Sequence, residues 1–132
     1  MCRIMVVDDE FTEREGMKYL IEKTGLRFEI EEETNGAAAL ERIQHGSEVD
    51  ILMTDIEMPF MDGLELCIQA HALRPGLKTV IFSAHRQFEY AQRAIEAGVT
   101  SYILKPVRAS KFEELICRLH KGWKEEQTVP AH

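Results

Sequence analysis

Residues 4–10 read Ile-Met-Val-Val-Asp-Asp-Glu: four apolar residues, then three carboxylates. A short apolar run ended abruptly by charge reads as a buried strand whose carboxyl end opens on solvent. Working outward, similar runs return at 51–53, 79–82 and 102–104. A half-exposed version lies at Phe28 and Ile30, which alternate with Glu29 and Glu31. Amphipathic stretches fill the gaps. Residues 12–23 carry Met17, Leu20 and Ile21 on one helical face, and Gly36 opens a short helix, 37–45, with Leu40 and Ile43. Asp62 is placed to cap a helix over 63–73, with Leu64, Cys67 and Ile68 on one face, before Pro75 and Gly76 break the chain. Gly98 is placed to close a helix over 86–97. Ser110 is placed to cap a last helix, 111–122, with Phe112, Leu115, Ile116 and Leu119 at i, i+3, i+4, i+7. Five strands alternating with five helices predict an α/β domain, a doubly wound five-stranded parallel sheet with helices on both faces. The Glu-rich second strand suits a sheet edge; the runs at 4–7, 51–53 and 79–82 suit its interior.

Length and composition agree with one domain. The chain has 132 residues, 45% hydrophobic and 30% charged, so it can build a single core and is not disordered throughout. Sixteen Lys and Arg face 23 Asp and Glu, and the net charge of -7 repels a polyanion such as DNA. Three cysteines without a CxxC give neither a disulfide framework nor a zinc knuckle. They read as reduced thiols, with Cys67 and Cys117 in core positions. No apolar run approaches the ~20 residues of a membrane span. Asp8, Asp9 and Glu10 interrupt what would be a signal peptide's apolar stretch. The expected location is therefore the cytoplasm, with no membrane partner. Residues 1–123 are read as the domain and 124–132 as a polar tail, or the start of a linker to an output domain absent from this chain.

In open α/β sheets, ligands bind beyond the carboxyl ends of the strands. The first run is followed there by Asp8, Asp9 and Glu10, the third by Thr54 and Asp55, the fourth by Ser83, and the fifth by Lys105 and Pro106. Carboxylates, a hydroxyl and an ammonium thus converge on one rim. Clustered carboxylates repel one another and favour a hard cation. A carboxylate can attack phosphorus, and the transferring phosphoryl is stabilised by Mg²⁺, by an ammonium and by hydroxyl donors. The pattern points to metal-assisted phosphoryl chemistry.

These pieces also resemble a known family. V-V-D-D-E at 6–10, N-G-A-A-A-L at 35–40, D-I-E-M-P-F-M-D-G at 55–63, F-S-A at 82–84 and L-K-P at 104–106 resemble, in order and spacing, the receiver domain of two-component response regulators. The resemblance covers about residues 2–122. It implies a flavodoxin-like (βα)5 fold with strand order 2-1-3-4-5. It implies Asp55 as phosphoacceptor, Asp8 and Asp9 as the acidic pair that helps hold Mg²⁺, and the Glu57 carbonyl and Asp55 as further metal ligands. Ser83 would bind the phosphoryl group, Lys105 would pair with it, and Ser83 and Tyr102 would form the switch. The Lys105–Pro106 bond is expected to be cis. His85 and Glu57 flank the site and are placed to tune phosphoryl lifetime. The implied donor is a histidine kinase. The face 86–122 is the one through which the family forms homodimers or holds an output domain. F-E-Y-A-Q-R-A-I at 88–95 resembles receivers that precede an AraC-type DNA-binding domain, so DNA would be reached only through that absent domain, with transcription regulation as the output. On this reading the chain is a phosphoacceptor signalling domain that catalyses only its own phosphorylation and dephosphorylation.

Two alternatives stay open. A stand-alone receiver acting by protein docking shares all of this chemistry. A metal-dependent phosphatase with an aspartate nucleophile fits less well, because Glu57 stands where a second Asp would follow Asp55. A nucleotide- or flavin-binding domain lacks its glycine motif, since neither G-x-G-x-x-G nor G-x-x-x-x-G-K-[ST] occurs.

Overall fold

A computed structural model describes residues 1–84 and 88–128, the side chain of Phe88 excepted. Its elements alternate: β1 (Cys2–Val7), α1 (Phe11–Lys23), β2 (Phe28–Glu33), α2 (Gly36–Gln44), β3 (Ile51–Asp55), α3 (Gly63–Leu73), β4 (Lys78–Ser83), α4 (Phe88–Glu96), β5 (Ser101–Leu104) and α5 (Ala109–Thr128). All strand pairs are parallel and the order is β2-β1-β3-β4-β5. This is the doubly wound, flavodoxin-like arrangement expected from the sequence.

The strand period of two divides the core into two layers. Cys2, Ile4 and Val6 of β1 join Ile51, Met53, Val80 and Phe82 beneath Met17 and Ile21 of α1 and Phe112, Leu115, Ile116 and Leu119 of α5. Met5 and Val7 point the other way, with Leu52 and Ile81, against Ala39 and Ile43 of α2, Leu64, Leu66, Cys67 and Ala70 of α3, and Ala94 of α4. Central strands covered on both faces need unbroken apolar runs, which is why those runs were so visible. At the edge, β2 alternates instead. Phe28 and Ile30 pack inward, while Glu29, Glu31, Glu32 and Glu33 take ion pairs from Arg3, Arg14, Lys18 and Arg42. A charged edge of this kind discourages pairing with another strand.

Local signals set the helix ends. Asn35 accepts from the Ala38 N–H at 2.8 Å and Asp62 from the Glu65 N–H at 2.8 Å, capping α2 and α3. Gly98, at φ 79°, turns the chain after α4 while Val99 N–H donates to Ala94 O. Four readings are corrected. Ser110 lies inside α5 rather than capping it, since the helix begins at Ala109. Helix α5 also continues to Thr128, past the expected end at residue 122. Trp123 packs on the core, and Lys78 Nζ meets Glu126 Oε1 at 2.6 Å. Cys117 is exposed because it falls off the 112/115/116/119 stripe, and Cys2 joins Cys67 in the interior instead. Ile68 is 44% exposed and leaves the packed face of α3 to Leu64, Leu66, Cys67 and Ala70. Among the described residues, no helix is long and apolar enough to cross a membrane.

Candidate functional site

The site grows from the ends of four strands, β1, β3, β4 and β5. Val7 pairs with Thr54 across β1 and β3, so Asp8 and Asp55 are the next residues along neighbouring strands. The Asp8 N–H donates to Glu33 O at 3.2 Å, and the Ile56 N–H to Phe82 O at 2.9 Å, which extends the sheet's ladder just past each carboxylate. Beyond β4 and β5, the Lys105 N–H donates to Ser83 O at 2.8 Å, and the Lys105–Pro106 peptide is cis. The Lys105 side chain turns back over β3. These strand ends and their loops enclose a cleft of about 610 Å³, lined by Asp8, Asp9, Glu10, Glu13, Asp55, Glu57, Asp62, Tyr90 and Lys105 among others.

Within the cleft the charges are ordered. Lys105 Nζ lies 2.8 Å from Asp55 Oδ1 and 3.5 Å from Glu13 Oε2. Burial pushes the Lys105 ammonium down, but the hydrogen bond and charge of Asp55, with Glu13 and Asp8 behind them, outweigh it and hold the pKa above its ordinary value. Asp8 is almost fully buried, at 1% exposure. Its Oδ1 accepts from the Glu10 N–H at 3.0 Å, while its Oδ2 is buried with no hydrogen-bond partner among the described residues. Burial pushes the Asp8 carboxyl up to about 6; the Glu10 N–H works against this, and the charges of Asp55 and Asp9 add to it. A buried carboxylate oxygen facing other carboxylates without a partner is costly unless something positive completes it.

The remaining expected residues sit as follows. Asp9 and Glu57 are exposed on the cleft wall. Ser83 is fully buried at the end of β4, outside the residues that line the cleft. Tyr102 is half-buried on β5, beside Ile81 in register, and packs against the layer of Met5, Leu52 and Ala94. His85 lies outside the described residues. Among the described residues, no group of three His, Cys, Asp or Glu side chains is gathered closely enough to hold a metal ion by itself.

Three contributors escaped the sequence reading. Glu13 and Arg14 stand on α1, where a charged pair reads as a solvated helix face; only the fold brings Glu13 to Lys105 and the Arg14 guanidinium to the Asp8 carbonyl oxygen, 2.8 Å away. Gly63 had a motif signal but no assigned reason. A Cβ there would overlap the Asp55 carbonyl oxygen, so α3 can start this close to β3 only with glycine.

Comparison with known proteins places this geometry. The family model for the response regulator receiver domain matches residues 4–117. The chain is 37% identical over 126 residues to the uncharacterized transcriptional regulatory protein YesN of Bacillus subtilis, covering 92% of this chain and 34% of that protein. It is 32% identical over 129 residues to the transcriptional regulatory protein HptR of Staphylococcus aureus, covering 97% of this chain and 50% of that protein. The chain thus spans a third to a half of the curated relatives it matches. Among solved structures, the REC domain of AraT, a response regulator from Geobacillus stearothermophilus, superposes with a TM-score of 0.80 at 32% identity, covering 96% of this chain and 98% of that one. The motifs at the strand ends, the 2-1-3-4-5 sheet and these likenesses agree: the chain belongs to the response regulator receiver domain family of two-component signalling.

Proposed function

We propose that Asp55 accepts a phosphoryl group from the phosphohistidine of a partner histidine kinase, in a Mg²⁺-dependent reaction. The observation that carries this is the Lys105 ammonium 2.8 Å from Asp55 Oδ1, in a cleft that also holds the orphaned Asp8 Oδ2. An Asp55 oxygen attacks phosphorus, the P–N bond to the histidine breaks, and the imidazole leaves with the bonding pair and takes a proton. Lys105 pairs with the phosphoryl oxygens as charge moves onto them. The donor set suits a hard cation: Asp8, Asp9 and Asp55 offer carboxylate oxygens, and one of these, Asp8 Oδ2, is buried and lacks a hydrogen bond among the described residues. Fewer than three gathered side chains suffices for Mg²⁺, which takes one or two carboxylates and fills its octahedron with phosphate oxygens and water. The Glu57 carbonyl would add a further ligand. When bound, Mg²⁺ supplies positive charge to the phosphoryl oxygens.

The signal then leaves through packing. Ser83 is buried below the cleft, so reaching a phosphoryl oxygen requires its loop to move inward. Tyr102 would turn into the vacated space, and the face built from α4, β5 and α5 would change shape. A local charge event then biases an element with two arrangements. We place this face as the surface for a second copy or an output domain, acting in the cytoplasm. Transcription regulation is the output we favour, because two longer relatives that share this stretch are named transcriptional regulatory proteins. DNA would be contacted only by a further domain, since the chain itself has a net charge of -7. Residues 1–123 hold every group this reading uses.

The test is phosphate-affinity electrophoresis after incubation with acetyl phosphate. A slower band that needs Mg²⁺ and is absent from Asp55→Asn is expected. An equal band in that variant would remove Asp55 from the role.

A further inference from the structure

We infer that Arg14 is a positioning residue for the acidic pair, fixing the loop that carries Asp8 and Asp9 against the edge of the sheet. The inference rests on the proposed metal-assisted reading of the cleft. Arg14 occupies the first turns of α1, and its side chain is only 12% exposed, unusual for an arginine on a short surface helix. Its two ends of hydrogen bonding are separate. Nη1 donates to the backbone oxygen of Asp8 at 2.8 Å, and Nε donates to Glu32 Oε1 on β2 at 3.3 Å. The guanidinium therefore bridges the β1–α1 loop to the neighbouring strand. A planar, rigid fork holds its two donors in one fixed geometry, so the two acceptors are held relative to each other, an orientation that an ammonium on a flexible stem does not impose.

The consequence lies in what the Asp8 carbonyl controls. That carbonyl belongs to the peptide joining Asp8 to Asp9. Holding it fixes the plane from which the Asp9 side chain departs toward the cleft. The amide of Asp8 is already held by Glu33 O at 3.2 Å, and the amide of Glu10 by Asp8 Oδ1 at 3.0 Å. With Arg14, the loop is held on both sides of Asp8 and again at Glu10. Without the fork, three mutually repelling carboxylates, Asp8, Asp9 and Asp55, would relax apart, and a cation would have to reassemble them on binding. The Glu32 contact also pairs the guanidinium's charge, which would otherwise oppose a cation.

Arg14→Lys tests this while keeping the charge. Binding of Mn²⁺, used as a paramagnetic stand-in, is titrated by electron paramagnetic resonance at 0.15 M salt, and amide exchange of residues 8–10 is followed by NMR in the metal-free protein. We expect Mn²⁺ affinity to fall about threefold to tenfold, with faster exchange confined to the Glu10 amide and its neighbours. Glu32→Gln, which weakens the outer anchor together with the Lys18–Glu32 pair and leaves the Nη1 bond to Asp8 in place, should show a smaller change in the same direction and covers the case in which Arg14→Lys folds poorly. Wild-type affinity in both variants, or faster exchange spread along the whole of α1, would overturn the inference and leave Arg14 a structural residue. Absence of Mn²⁺ binding by the wild type would instead overturn the metal reading of the cleft, and this inference with it.

Discussion

Replacing Asp8 with asparagine should make the metal-free protein more stable. Asp8 is buried, its Oδ2 has no hydrogen-bond partner among the described residues, and its carboxyl is pushed from 3.8 to about 6, chiefly by burial. At ~1.4 kcal/mol per tenfold, that displacement disfavours the ionised side chain by about 3 kcal/mol. Asparagine keeps an oxygen for the Glu10 N–H but buries its own amide, which returns part of the gain. The net expectation is about 1–2 kcal/mol at pH 7, or roughly 3–8 °C in Tm for a domain of this size. The sign follows from linkage. The folded pKa lies above the unfolded one, so the folded state keeps a proton that the unfolded state has lost between about pH 4 and pH 6. Stability falls as pH rises through that window, and the full penalty holds above it. The variant's advantage should therefore be complete at pH 7 and gone by about pH 4. Excess Mg²⁺ should narrow the gap by stabilising the wild type. Urea denaturation at pH 7 and pH 4, with and without Mg²⁺, measures all of this. A variant no more stable at pH 7, or an advantage that ignores pH, would refute the reasoning.

Two further expectations follow from the cleft. Gly63→Ala places a Cβ against the Asp55 carbonyl, so it should destabilise by about 1–3 kcal/mol and slow phosphoryl uptake by shifting Asp55; urea denaturation and an uptake time course report the two effects. Glu13→Gln leaves Lys105 to Asp55 alone and removes one negative charge from the mouth. Uptake from acetyl phosphate should rise about twofold to fivefold at low salt, with the difference shrinking in ~1 M salt, where screening is nearly complete.

The sequence was most legible where the physics is one-dimensional. Central strands such as β1, β3 and β4 are covered on both faces, so their apolar runs stood out, and those of β1 and β3 led to carboxylates now found in the cleft, whereas that of β4 ended on the buried Ser83. Asp8, Asp55 and Lys105 were legible for the same reason: strand ends are visible, and a parallel sheet brings them together. Periodicity failed where an exposed position and a packed one look alike. Ile68 and Cys117 sit one residue off a stripe, and their apolar character alone did not say so. The end of α5 was hidden because its anchors, Lys78 with Glu126 and Trp123 on the core, join residues far apart in the chain. Arg14 escaped for a similar reason. An arginine on a helix carries no sign that it reaches back to the loop before it and across to another strand. The orphaned Asp8 Oδ2 could not be foreseen either, since burial of one carboxylate oxygen depends on the whole sheet.

The central claim is that Asp55 takes the phosphoryl group. Intact-mass spectrometry after incubation with Mg²⁺ and acetyl phosphate, followed by borohydride reduction and peptide mapping, tests it most directly. The account predicts a gain of one alkali-labile phosphoryl group in the wild type, none without Mg²⁺ or in Asp55→Asn, and reduction of residue 55 to homoserine. A stable adduct, or a reduced residue at Asp8, Asp9 or Glu57 with Asp55 unchanged, would contradict it.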